Sequence, residues 1–202
     1  MRLGIYGGTF DPVHAGHVRM LKAVTDSCGL DRTLVLPDRI PPHKEARYLT
    51  PGEDRAQMCR IAFRDCKNTE ICDWELRQEG KSYSVLTLRH FHELYPLDRL
   101  FFIMGSDMLK SFHHWYRFEE ILQLSGLICV SRSREDSRDI VDCANALREL
   151  GGEVIIARTE PLELSSTEIR ERLTEGRDCK GLLDPEVTEY IKSHGLYGTV
   201  SQ

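Results

Sequence analysis

Gly7-Gly8-Thr9-Phe10-Asp11-Pro12-Val13-His14-Ala15-Gly16-His17 decides how the rest of the chain is read. It follows an apolar stretch, Leu3 to Tyr6, with the character of a buried strand. It precedes Val18, Leu21 and Val24, which share one face at helical spacing. Glycines, two histidines and a helix start therefore meet at the carboxyl end of a first strand. In an open α/β sheet, ligands bind there. Backbone N–H groups and the helix dipole favour an anion at such a point. Gly7 and Gly8 let the backbone approach a phosphate with no Cβ in the way. His14 and His17 can donate hydrogen bonds to oxygens whose charge grows during a reaction. The physical reading is a phosphate-handling site. No G-x-G-x-x-G dinucleotide fingerprint and no P-loop occurs in the chain. His14 and His17 could alternatively be metal ligands or ordinary core histidines, but no neighbouring Cys or carboxylate set completes a zinc site.

Strand and helix signals alternate outward from this run. A helix is expected over His17–Cys28 and a second strand over Thr33–Leu36. A proline-rich loop follows from Pro37 to Tyr48. Thr50-Pro51-Gly52-Glu53 reads as a capping box with Pro at the first helical position, opening a helix to about Asp65. Further strands are expected at Glu70–Leu76, Leu100–Met104, Leu127–Val130 and Val154–Ala157. Helices are expected at Ser82–Leu94, Phe118–Leu124 and Ile140–Leu150. After that the alternation stops. Ser165-Ser166-Thr167-Glu168 is another capping box, and Asp184-Pro185 opens a last helix closed by Gly195. The pattern implies one α/β domain over 1–202: a doubly wound, mainly parallel, Rossmann-like sheet to about residue 160, then a small helical part.

Composition narrows the function. The chain has 202 residues, 41% hydrophobic and 29% charged, with a net charge of −5. A negative balance excludes a dedicated nucleic-acid binder, so anionic substrates must be met by local basic groups. No apolar run approaches the ~20 residues of a membrane span, and no signal peptide is expected. Seven scattered cysteines without C-x-x-C fit reduced structural thiols and a cytoplasmic location.

Other candidate groups sit at expected strand ends. Pro41-Pro42-His43-Lys44 would aim Lys44 at the cleft, or leave it solvated. Gly105-Ser106-Asp107 offers close backbone approach and an acceptor for ribose hydroxyls, or a helix N-cap. Trp115 offers a flat face for stacking on an aromatic ring, or packs with Tyr116 under the next helix. Arg132 and Arg134 can grip phosphate. Ser165, Ser166, Thr167 and Arg170 gather at a helix start, as a second anion site or as plain caps.

In order and spacing these boxes resemble the bacterial nicotinate-mononucleotide adenylyltransferases, members of the nucleotidyltransferase superfamily with the His-x-Gly-His box. The resemblance runs from Gly7 to Tyr197. It takes in Lys81-Ser82-Tyr83-Ser84 through Leu88, Gly105-x-Asp107 with Trp115, Ser165 to Arg170, and Gly195-Leu196-Tyr197. It implies transfer of the adenylyl group of ATP to nicotinate mononucleotide, with Mg²⁺ held mainly by substrate phosphates and water. It implies catalytic roles for His14 and His17. It places ATP against Gly7, Gly8, Thr9, Phe10, Gly16, Gly105, Asp107, Ser165, Ser166 and Arg170. It places the mononucleotide against Lys44, Ser84, Val85, Trp115 and Arg132. Ser84 keeps a hydroxyl where the family has Thr, whereas Leu86 stands where the family has an acid. Readings that compete with this are another acceptor within the superfamily, such as pantetheine phosphate, or a nucleotide sensor without turnover.

Overall fold

The computed structural model describes residues 1–42, 49–131, 137–158 and 164–199, with Ser137 and Arg158 described by backbone alone. Six strands form one sheet: β1 (Arg2–Gly8), β2 (Arg32–Pro37), β3 (Thr69–Ile71), β4 (Arg99–Gly105), β5 (Gly126–Ser131) and β6 (Val154–Arg158). Their order is β3-β2-β1-β4-β5-β6, and every pairing is parallel. The mainly parallel sheet expected from the pattern is thus parallel throughout these strands. The order reverses between β1 and β4, so their carboxyl ends flank the crevice of a doubly wound sheet.

The strands are buried on both faces and sort their side chains by alternation. Leu3 and Ile5, Leu34 and Leu36, Leu100, Phe102 and Met104, Leu127 and Cys129 point to one face. There they meet α3 (Ser84–Leu94), α4 (Ser106–Lys110), α5 (Phe118–Leu124) and α6 (Ser137–Glu149). Tyr6, Val35, Phe101, Ile103, Ile128 and Val130 point to the other. There they meet α1 (Ala15–Cys28), α2 (Gly52–Ala62), α7 (Ser166–Thr174) and α8 (Pro185–Ser193). Helix α1 buries Met20, Leu21 and Val24, each worth about 1.5–3 kcal/mol. It ends at Gly29, whose left-handed φ of 60° no β-branched residue would accept. Among the described residues no helix is long and apolar enough to cross a membrane. All seven cysteines are free thiols, with Cys59, Cys129 and Cys179 buried.

Two sequence expectations need correction, and one short helix was not expected. The strand expected over Glu70–Leu76 pairs only at Thr69–Ile71, and Glu75–Arg77 forms a single 3-10 turn. An edge strand has one partner, and Asp73 starts the turn by accepting from Leu76 N–H at 3.1 Å. The helix expected to open on a Thr50 capping box begins one residue later, with Pro51 as N-cap, and ends at Ala62. The Thr50 hydroxyl faces the Tyr197 phenol instead. Helix α4 follows β4 directly, and five residues are too few to leave a periodic signal.

Candidate active site

The turn after β1 is built from both sides. Phe10 takes a left-handed φ of 49°, and the Asp11–Pro12 peptide is cis. The Phe10 ring turns inward, 1% exposed, edge-on to Tyr6 at 5.4 Å and to Phe63 at 6.1 Å. A Cβ on Gly8 would lie 2.8–3.1 Å from that ring. Gly8 is therefore demanded by Phe10 packing, a reason for glycine beside the expected approach of phosphate. Gly7 has ordinary room, with Phe102 at 3.6 Å. Phe10 can face a ligand only through its backbone.

His14 is the N-cap of α1 and is 3% exposed. His17, at N3, accepts the His14 backbone N–H on Nδ1 at 3.2 Å. The two rings stack with centroids 3.7 Å apart, and Phe10 meets His17 edge-on at 5.1 Å. This is a capping box with histidine in the place of glutamate. Because Nδ1 accepts, the neutral His17 ring carries its proton on Nε2. Gly16 lies between the histidines in the first turn of α1.

The start of α7 closes on this turn from the carboxyl-terminal side. Arg170 donates to Asp11 O at 2.7 Å and Ser166 to Pro12 O at 2.9 Å. Ser165 caps α7 by accepting Glu168 N–H at 3.1 Å. Glu168 itself reaches Arg172 at 3.1 Å, so the expected capping box is half formed. Ala15 N–H donates to Leu182 O at 2.8 Å. Tyr197, at a left-handed φ of 54°, donates its hydroxyl to Asp11 Oδ1 at 2.6 Å. Burial and the facing Asp11 carboxylate push the Tyr197 phenol up.

Across the switch point, Gly105 caps α4 and Asp107 lies exposed in its first turn. Trp115 is half-buried: Phe102 meets it edge-on at 5.7 Å and Phe112 tilts against it at 5.3 Å. The packed reading holds for Trp115 in part, while Tyr116 is 53% exposed. Ser84 and Val85 open α3, whose N-cap Tyr83 gives no side-chain acceptor. Val85 is fully buried, so only its backbone N–H can serve. Leu86 is 43% exposed. Lys44, Arg132 and Arg134 lie outside the described residues.

The sequence matches the family described as cytidylyltransferase-like over residues 5–172. A relative in Syntrophotalea carbinolica, named "Probable nicotinate-nucleotide adenylyltransferase", is 37% identical over 98% of this chain and 97% of its own. One of the same name in Desulfitobacterium hafniense is 36% identical over 97% and 95%. The chain belongs to the nicotinate-nucleotide adenylyltransferase family. The fold is shared with Plasmodium falciparum nicotinic acid mononucleotide adenylyltransferase, solved in complex with NaAD. That structure has a TM-score of 0.81 at 22% identity and covers 100% of this chain and 99% of its own.

Two features of this family member were not visible in its sequence. Arg55, 1% exposed, donates to Thr9 O at 2.7 Å, Thr50 O at 2.9 Å and Asp38 O at 2.8 Å. Its NH1 also lies 3.5 Å from Asp38 Oδ1, while Thr9 donates its hydroxyl to Asp38 Oδ2 at 3.0 Å. One guanidinium thus holds the ends of β1 and β2 and the entry to α2 together. Glu75 is the other, buried beside the start of α3. A periodicity reading scores both as surface charges, since their partners are distant in sequence.

Proposed function

We propose that this protein transfers the adenylyl group of ATP to the 5′-phosphate of nicotinate mononucleotide, giving nicotinate adenine dinucleotide and pyrophosphate. The observation that carries this is the His14–His17 pair, stacked at the first turn of α1 with His14 buried and His17 half-buried, beside the sheet switch point. Family membership over the full chain supports the acceptor.

In this reading the 5′-phosphate oxygen attacks the α-phosphorus of ATP. A new P–O bond forms in line as the bond to pyrophosphate breaks. The nucleophile is already anionic, so no general base is required. The chain contributes position and charge stabilisation. His17 Nε2–H and the His14 ring donate to the ATP phosphate oxygens. Backbone groups of Gly7, Gly8, Thr9, Phe10 and Gly16 border the phosphates. Gly105 and Asp107 hold the adenosine, and Ser165, Ser166 and Arg170 the ATP side of the cleft. Arg170 does so while spending one donor on Asp11 O. Ser84 and the Val85 N–H read the nicotinate carboxylate, Trp115 stacks on the pyridine, and Lys44 and Arg132 contact phosphate.

Among the described residues no three His, Cys, Asp or Glu side chains gather as a metal cage. A Mg²⁺ ion held mainly by substrate phosphates and water would neutralise phosphate charge. The free thiols fit a reducing cytoplasm. The chain acts as one nucleotidyltransferase domain, with its α/β core to about residue 160.

The test is pyrophosphate release from ATP and Mg²⁺ with nicotinate or nicotinamide mononucleotide as acceptor. Strong preference for the acid is expected. Comparable rates would remove the Ser84 assignment, and release with neither would remove the function.

A further inference from the structure

Glu75 is a carboxylate in an expensive place. It sits in the Glu75–Arg77 turn, 7% exposed. Thr87, itself 1% exposed, donates its hydroxyl to Glu75 Oε1 at 2.6 Å. The Ser82 hydroxyl faces the same carboxyl and offsets part of the cost of its burial. Ser82 is in turn tied to the loop after β2: its Oγ accepts Arg39 N–H at 2.9 Å, and its N–H donates to Ile40 O at 2.8 Å.

The charged neighbours do not offset the burial. Asp38, from the loop after β2, acts on Glu75 as a second negative charge and is itself 3.5 Å from Arg55. Other nearby cations are engaged elsewhere. Arg77 pairs with Asp73 at 2.7 Å and Arg89, on α3, with Glu120 at 2.5 Å. Lys81 donates to Pro42 O at 2.6 Å, and Arg39 donates to Gln78 O. His90, on α3, stacks on Trp74 at 4.3 Å. Burial pushes the Glu75 carboxyl up to about 7. Among the described residues no cation sits beside it, and a buried acid without one detracts from stability, so packing alone gives no reason for it.

Its contacts give a reason. Ser82 and Thr87 bracket Ser84 and Val85, the residues with which α3 begins. We propose that Glu75 is a positioning residue for the acceptor substrate, holding Ser82 and Thr87 so that Ser84 and the Val85 N–H face the acceptor's carboxylate. This rests on the reading of Ser84 and Val85 given above. Each carboxyl oxygen can accept one hydroxyl proton, which fixes both ends of the segment without touching the ATP side.

The experiment is steady-state kinetics of the full chain with ATP and nicotinate mononucleotide, comparing wild type, Glu75→Ala, Glu75→Gln and Ser82→Ala. Glu75→Ala should raise KM for the mononucleotide by ~10-fold, the scale of one lost hydrogen-bond anchor, and leave KM for ATP within ~2-fold. Glu75→Gln, which retains an acceptor and the side-chain length, should restore most of that loss. Ser82→Ala should reproduce the acceptor-only effect, and it decides the matter if Glu75→Ala does not fold. Equal rises in both KM values, no rise in either, or a Gln variant as poor as Ala would overturn the positioning role while leaving the proposed function intact. A wild type inactive with nicotinate mononucleotide would instead remove the function, and this role with it.

Discussion

His17 has two ring nitrogens with separate tasks. Nδ1 accepts from the His14 backbone and so fixes the entry to α1, which leaves Nε2–H free of that duty. The tasks can be separated by substitution. His17→Ala and His14→Ala should each lower kcat by about 10²-fold, the scale for losing a donor to a developing charge. His17→Asn places an oxygen near the Nδ1 position. It should keep the thermal stability that His17→Ala loses, about 1 kcal/mol for a cap, yet recover none of the rate. Near-normal turnover in any of the three would remove the pair from catalysis. Gly8 makes a different point. Its run reads as phosphate-binding, and the placement of Gly8 at the strand end follows from that pattern. The reason for glycine was hidden, because the ring of Phe10 two residues on fills the space a Cβ would need. Gly8→Ala should cost about 1–3 kcal/mol in denaturant unfolding through overpacking.

At the scale of elements, the strand–turn–helix unit around the histidines was legible because glycine, proline and a change of period punctuate it. The capping Ser165 and Asp184 were legible for the same reason, and both accept from their helix N–H groups as the spacing implies. The edge strand β3 was not, since its apolar alternation continues into a turn that bends Glu75 inward. The bracing of one element by another was also invisible. Helix α7 spends Ser166 and Arg170 on the backbone of the Asp11–Pro12 turn, residues far apart in sequence. Tyr197→Phe removes one brace and leaves the buried Asp11 short of a donor. It should destabilise the fold by about 2 kcal/mol and lower kcat, measured by thermal melts beside pyrophosphate release. On the opposite side of the cleft, Trp115→Ala should raise KM for the mononucleotide more than for ATP. An equal rise in both would move Trp115 away from the pyridine.

For the whole molecule, stability should carry the mark of Glu75. Its folded carboxyl titrates at about 7, against an ordinary 4.5, because burial penalises the charge. Between those values the folded chain holds a proton that the unfolded chain has released. Stability contributed at this group therefore falls as pH rises from about 4.5 through 7, by about 3 kcal/mol in all, and stays lost above. Glu75→Gln should melt closer to wild type at pH 5 and above it at pH 8. Parallel melting curves across that range would contradict the burial account.

The braces on the Asp11–Pro12 turn have a consequence for how the protein is made. The turn is translated early, but Ser166, Arg170, Leu182 and Tyr197 must all arrive before it is held. A nascent chain can pair β1 with β2 and β4 well before then. The last brace on the turn exists only once residue 197 is available, so the full set of braces is completed late in synthesis.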